Sequence, residues 1–185
     1  MNIIFIIALT FPVAVASTAF GINNEQLTIN NFNFNFGKKL MFALILALGQ
    51  GVMYVLGTLL GGTFMHTLSS LSEWVVLALC FSIAFRMLLD TMKIRKGGNL
   101  FFVETKKHLL LLSIALGVNA FIAGLMFDFL PLFQNLTPYL LIVAGFVWSM
   151  AAMLIPFSQM KLTLNSLLNV LFSALILAKG LLMLA

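Results

Sequence analysis

Six apolar stretches dominate the chain, at 3–22, 40–62, 74–92, 109–127, 139–157 and 164–184, each separated from the next by a polar break. A helix of about twenty residues covers the roughly 30 Å of bilayer hydrocarbon. Lipid offers backbone N–H and C=O groups no partner, so a spanning segment satisfies them within a helix or around a closed barrel. Barrel strands alternate lipid-facing and lumen-facing residues, and these stretches show no such alternation. The expected fold is all-α: a polytopic membrane protein of six transmembrane helices in a single membrane domain over 1–185.

Composition removes the competing classes. Hydrophobic residues make up 62% of the 185 and charged residues 8%, where a soluble domain carries about 25% charged residues. A soluble chain of this size keeps about a third of its surface wet, too little interior for this much apolar surface. Soluble enzyme, nucleic-acid binder and disordered chain are excluded. Cys80 is the only cysteine, which rules out disulfide frameworks and thiolate metal cages. The first stretch has a signal-peptide rival, because Val13-Ala14-Val15-Ala16-Ser17 looks like a cleavage site. No Lys or Arg precedes it, so a retained span is expected.

The net charge of +5 is a topology signal. Lys38 and Lys39 precede the second span; Lys93, Arg95, Lys96, Lys106 and Lys107 lie between the third and fourth; Lys161 follows the fifth. The opposite loops hold only Glu73, Asp128 and His66 as titratable residues near the spans. The positive-inside rule then places the basic loops in the cytoplasm and both termini outside. The Asn and Phe alternation over 30–36 reads as a loop lying on the headgroups. Membrane lipid is the obligatory partner, homo-oligomerisation is compatible with the pattern, and no cofactor and no nucleic acid are implied.

Six spans divide into repeats of three, 1–98 and 99–185. Thr18-Ala19-Phe20-Gly21 in span one is echoed by Asn119-Ala120-Phe121 with Gly124 in span four. An odd number of spans per repeat inverts the second copy, a plan that transporters use to put a substrate site near the midplane.

Polar residues inside spans are expensive and mark function. In span two, Gln50, Met53, Gly57 and Gly61 share a helix face, with Gly57 and Gly61 forming a GxxxG packing motif; Gly124 in span four is a further packing position. Arg86 and Asp90 stand one turn apart in span three and can pair, as a structural pair or as a coupling or gating element. Asn119 lies near the centre of span four. Span one offers a stripe of Thr10, Ala14, Thr18 and Gly21, with Pro12 to bend the helix, and span six a stripe of Asn165, Asn169 and Ser173. Thr hydroxyls often bond their own helix backbone. Lys179 is expected to snorkel outward. His66 and His108 lack partners at metal-ligand spacing, and no nucleophile–base pair or phosphate loop is visible. An enzyme is not expected.

Three segments carry a family resemblance. Residues 50–61 (QGVMYVLGTLLG), 86–90 (RMLLD) and 119–124 (NAFIAG) resemble, in order and spacing, stretches of spans two, three and four of the bacterial manganese efflux pumps, MntP-like proteins of the lysine-exporter superfamily. The resemblance implies a six-span secondary exporter of the inner membrane with manganese as its cation, and Thr18, Gln50 and Asn119 as substrate-binding residues. It also implies acidic ligands in spans one and four. Here Thr18 (or Ala14, one turn earlier) and Asn119 stand at those positions. Mn²⁺ prefers hard oxygen ligands, carboxylates among them, and neutral oxygens cannot offset its charge in a low-dielectric membrane. Three readings follow: cation export, export of an amino acid or other small neutral solute, and a non-transporting membrane scaffold.

Overall fold

The computed structural model describes residues 2–27, 36–68, 71–95, 106–126, 137–154 and 159–182. They form six helices: α1 (Asn2–Leu27), α2 (Phe36–Leu68), α3 (Ser72–Arg95), α4 (Lys106–Leu125), α5 (Thr137–Leu154) and α6 (Gln159–Leu181). Each overlaps most of one expected span, and no strand occurs among the described residues. Most of the loop expected over 30–36 lies outside the described residues, as do Lys96, Asp128 and the side chains of Lys93, Arg95, His66 and Lys161.

Five stretches are long and apolar enough to cross a membrane: Lys39–Phe64, Ser72–Met92, Lys107–Leu125, Thr137–Leu154 and Thr163–Leu181. The first helix differs. Its apolar part, Ile3–Thr18, covers only about 24 Å at 1.5 Å per residue, because Asn23, Asn24, Glu25 and Gln26 follow on the same helix. Its place in the bundle explains the all-round apolar character. Phe5, Ala8, Leu9, Phe11, Val13 and Ala16 are all buried, as expected of a helix enclosed by other helices.

The packing partners are distant in sequence. The α2 helix lies along α4, α3 along α6, and α1 against both α5 and α6; α2 also packs on α5. Consecutive helices α1 and α2, or α2 and α3, barely touch. Exchanging α1–α3 for α4–α6 turns the α2–α4 pairing into α5–α1 and maps α3–α6 and α2–α5 onto themselves. Each half therefore completes the core of the other.

The α2–α4 crossing is close because glycine meets glycine. A Cβ on Gly57 would stand 3.0 Å from the Gly124 Cα and collide with the Phe121 carbonyl oxygen. One on Gly61 would lie 2.8 Å from the Leu125 carbonyl oxygen. Around α1, Phe11 meets Trp148 of α5 edge-on at 5.3 Å and Phe172 of α6 at 4.9 Å, tying three helices together. Outward faces carry Val52, Leu59, Phe81, Leu111 and Leu167, all exposed, which suits a surface solvated by lipid tails. Exposed Trp74 and Tyr139 stand in the first turns of α3 and α5, where amphipathic rings sit at a membrane interface.

Candidate functional site

The side chains of interest meet on one turn of α4. From α2, the Gln50 amide donates through Nε2 to the Leu116 carbonyl at 3.1 Å. From α3, the Arg86 guanidinium donates to Asn119 Oδ1 at 3.3 Å and to the Ala115 carbonyl oxygen. Gln50 is 0% exposed and Asn119 2%. Ala115, Leu116 and Asn119 thus present three oxygens to two helices on either side.

Gln50 reaches this turn because Gly49 and Gly117 let the helices close. A Cβ on Gly49 would collide with the Ser113 hydroxyl, and one on Gly117 would stand 2.6 Å from the Met53 side chain. Ser113 in turn donates to the Ile45 carbonyl of α2 at 2.9 Å. The stripe of Gln50, Met53, Gly57 and Gly61 faces α4 along its length, as its spacing predicts. The Gln50 amide has only one acceptable orientation here. Its nitrogen must meet the Leu116 carbonyl, so Oε1 points away, and that oxygen is buried with no hydrogen-bond partner. Buried orphan acceptors are rare and call for an explanation.

Asp90 lies one turn beyond Arg86 on α3. The two share a face, as expected, while the donors of Arg86 reach across to α4. That reach was not legible in the i, i+4 spacing.

Thr18 belongs to a separate contact. Its hydroxyl donates to the Val15 carbonyl at 2.7 Å, the self-bonding expected of a helical Thr, and accepts from Asn165 Nδ2 of α6 at 3.2 Å. Among the described residues no hydrogen bond joins Thr18 to Gln50 or Asn119. One turn further along α6, Asn169 (1% exposed) donates to the Met87 carbonyl and to Thr91 Oγ1, both at 2.8 Å. Its Oδ1 is the second buried amide oxygen without a hydrogen-bond partner.

Ser17 and Ser149 are the pair that sequence reading missed. Their hydroxyls bond at 2.8 Å between α1 and α5, fully buried. Isolated serines in apolar runs gave no signal of this. Two outer grooves, of about 180 Å³ between α1 and α6 and about 330 Å³ between α1 and α5, are lined by apolar residues with Lys179 the one charged group. Neither is lined by Thr18, Gln50 or Asn119.

Chemically, the α4 node offers neutral carbonyl and amide oxygens, one guanidinium, and one carboxylate a turn away. Among the described residues no group of three or more His, Cys, Asp or Glu is placed to hold a metal ion.

Comparison with known proteins bears on this arrangement. A family model described as "Putative manganese efflux pump" matches residues 33–182. A protein of Rippkaea orientalis named "Putative manganese efflux pump MntP" is 29% identical over 114 residues, covering 61% of this chain and 60% of that protein. One of the same name from Bacteroides thetaiotaomicron is 28% identical over 110 residues, covering 58% of this chain and 56% of that protein. The matched stretch is thus less than two thirds of either relative. No solved structure matches the chain. With most of its length matched by one family model, this multi-pass membrane protein belongs to the MntP-type manganese efflux pump family.

Proposed function

We propose that the protein is a secondary transporter that exports a divalent cation, manganese by its family, across a bacterial inner membrane, with both termini outside. The observation that carries this reading is the convergence of Gln50 and Arg86 on the 115–119 turn of α4, with the Gln50 Oε1 acceptor buried and unpartnered. Hard oxygens aimed into a membrane interior are ligands for a hard cation. Gln50 and Asn119 supply them at the centre; Thr18, held by Asn165, supplies one on the α1–α6 side. The two halves, 1–98 and 99–185, act as inverted repeats that rock about this centre, a reading supported by packing pairs that survive exchange of the halves. Expression in a manganese-sensitive strain lacking its own exporter tests the proposal. Restored growth on manganese supports it, and absence of rescue by a membrane-inserted protein overturns it.

One observation favours a second cargo. The α4 node holds a guanidinium and no cluster of acids, which suits a solute without net charge, such as an amino acid. Uptake into proteoliposomes separates the two: movement of an amino acid with no movement of Mn²⁺ selects the second reading.

A further inference from the structure

We infer that the groove between α1 and α6 is a seat for an acidic phospholipid, with the lipid phosphate on Lys179 and the upper part of one acyl chain lying in the groove. The groove, of about 180 Å³, runs between the start of α1 and the end of α6. Phe5, Ala8 and Ile176 are buried and form its floor, while Ile4, Leu175 and Leu182 are exposed and form its walls. Lys179 is the one charged residue that lines it. From Leu175 to Leu182 the lined part of α6 rises about 10 Å, room for part of an acyl chain. The volume is far below that of a further helix, which is about 10 Å across with its side chains.

Charge selects the headgroup. The Lys179 ammonium has three protons to donate and accepts none; it is half-buried, and among the described residues it forms no hydrogen bond or ion pair. Glu73 opens the neighbouring α3 and does not pair with it. A charge in a span needs a partner, and a lipid phosphate at the membrane boundary offers oxygens for a charge-assisted bond. A zwitterionic headgroup carries its own cation beside the phosphate, whereas an acidic one brings the net negative charge that a single ammonium attracts. The seat is also separate from the basic loops. Gly180 packs on Cys80 and Asn169 on Met87, so α6 runs antiparallel to α3. Lys179 therefore lies at the opposite end of the bundle from Lys93 and Arg95, and the seat does not depend on which cargo the protein moves.

Photolabelling tests the seat. The full-length protein is placed in nanodiscs of phosphatidylglycerol and phosphatidylcholine with matched chains, one of the two carrying a photoactivatable group in its upper acyl chain. Mass spectrometry of the labelled peptides then locates the lipid. Label on segments 4–8 and 175–182 is expected to be about fivefold higher with phosphatidylglycerol, the preference that one lysine gives near a membrane surface. Lys179→Gln is expected to bring the two lipids level, and Lys179→Arg to keep the preference. Ala178→Phe, which fills the groove from an exposed position, is expected to lower both labels. Equal labelling by the two lipids in the wild type overturns the proposal. A preference that survives Lys179→Gln also overturns it, because that preference belongs to the basic loops at the other end. Cross-links joining these segments of two chains overturn it in favour of a second copy. The wild-type comparison needs no variant, so the seat is tested even where a substituted chain does not fold.

Discussion

The Arg86 guanidinium of α3 donates to Asn119 Oδ1 of α4 at 3.3 Å, and the Asn165 amide of α6 donates to the Thr18 hydroxyl of α1 at 3.2 Å. In each case the third helix of one half reaches the first helix of the other. Asn119 is where the family resemblance implies an acid, and Thr18 is one of the two positions, with Ala14, where it implies the other. Both acceptors are neutral oxygens. One donor is charged and the other is not.

Charge at these two positions is the first thing to alter. Arg86 and Asp90 cancel, leaving the α4 node neutral, whereas Thr18→Asp with Asn119→Asp adds one carboxylate at that node and one on the α1–α6 side, two negative charges to set against a divalent cation. The double variant is expected to export Mn²⁺ about tenfold faster than the wild type, the change that roughly 1.4 kcal/mol of added stabilisation gives. Mn²⁺ flux from inverted vesicles measures it; an unchanged rate would place the cation elsewhere.

Gly57 tests the α2–α4 crossing. Its obstacles are backbone atoms of α4, including Gly124 Cα at 3.0 Å, which cannot swing aside like a side chain. Gly57→Ala is expected to cost about 1–3 kcal/mol, the range for overpacking, visible as a lower melting temperature in detergent. Gly37, with nothing within 4 Å of a built Cβ, is the control, and Gly37→Ala should melt with the wild type.

Gln50 separates folding from transport. Its Nε2 makes one neutral bond to Leu116, while its Oε1 has no hydrogen-bond partner. Gln50→Leu loses that bond but also removes an orphan acceptor, so stability should change by less than about 1.5 kcal/mol. Transport should fall sharply if Oε1 is a ligand. Equal loss of melting temperature and flux would make the residue a packing element.

The Ser17–Ser149 bond links α1 to α5 inside the core. A double-mutant cycle with Ser17→Ala and Ser149→Ala is expected to give a coupling of about 0.6 kcal/mol, typical of hydrogen bonds between membrane helices. Unfolding in a graded detergent series reads it. A coupling of zero would mean that each hydroxyl finds its own helix carbonyl equally well.

Much of the architecture follows from hydropathy, because every spanning segment has to be helical. The edges are where it falls short. α2 runs Phe36–Leu68 rather than 40–62: Lys39 near its start and His66 near its end interrupt an apolar run but not a helix. The stripe from Gln50 to Gly61 is legible as a contact face, since four residues at helical spacing can have only one orientation. That α4 covers it is not legible, because lipid tails are as apolar as any helix and leave no hydrophobic signature to rank partners. The node on the 115–119 turn is hidden for a second reason. Two of its three oxygens are backbone carbonyls of Ala115 and Leu116, and backbone oxygens have no letter in a sequence.

The interlocked pairing also sets the order in which the protein can be made. While the ribosome is still extending the chain, α2 waits for α4 and α3 for α6, so the earliest helices sit in the bilayer without their mates. Buried Met87 and Thr91 of α3, whose oxygens accept from Asn169, gain that partner only when the last helix arrives. Assembly is therefore weighted to the end of synthesis.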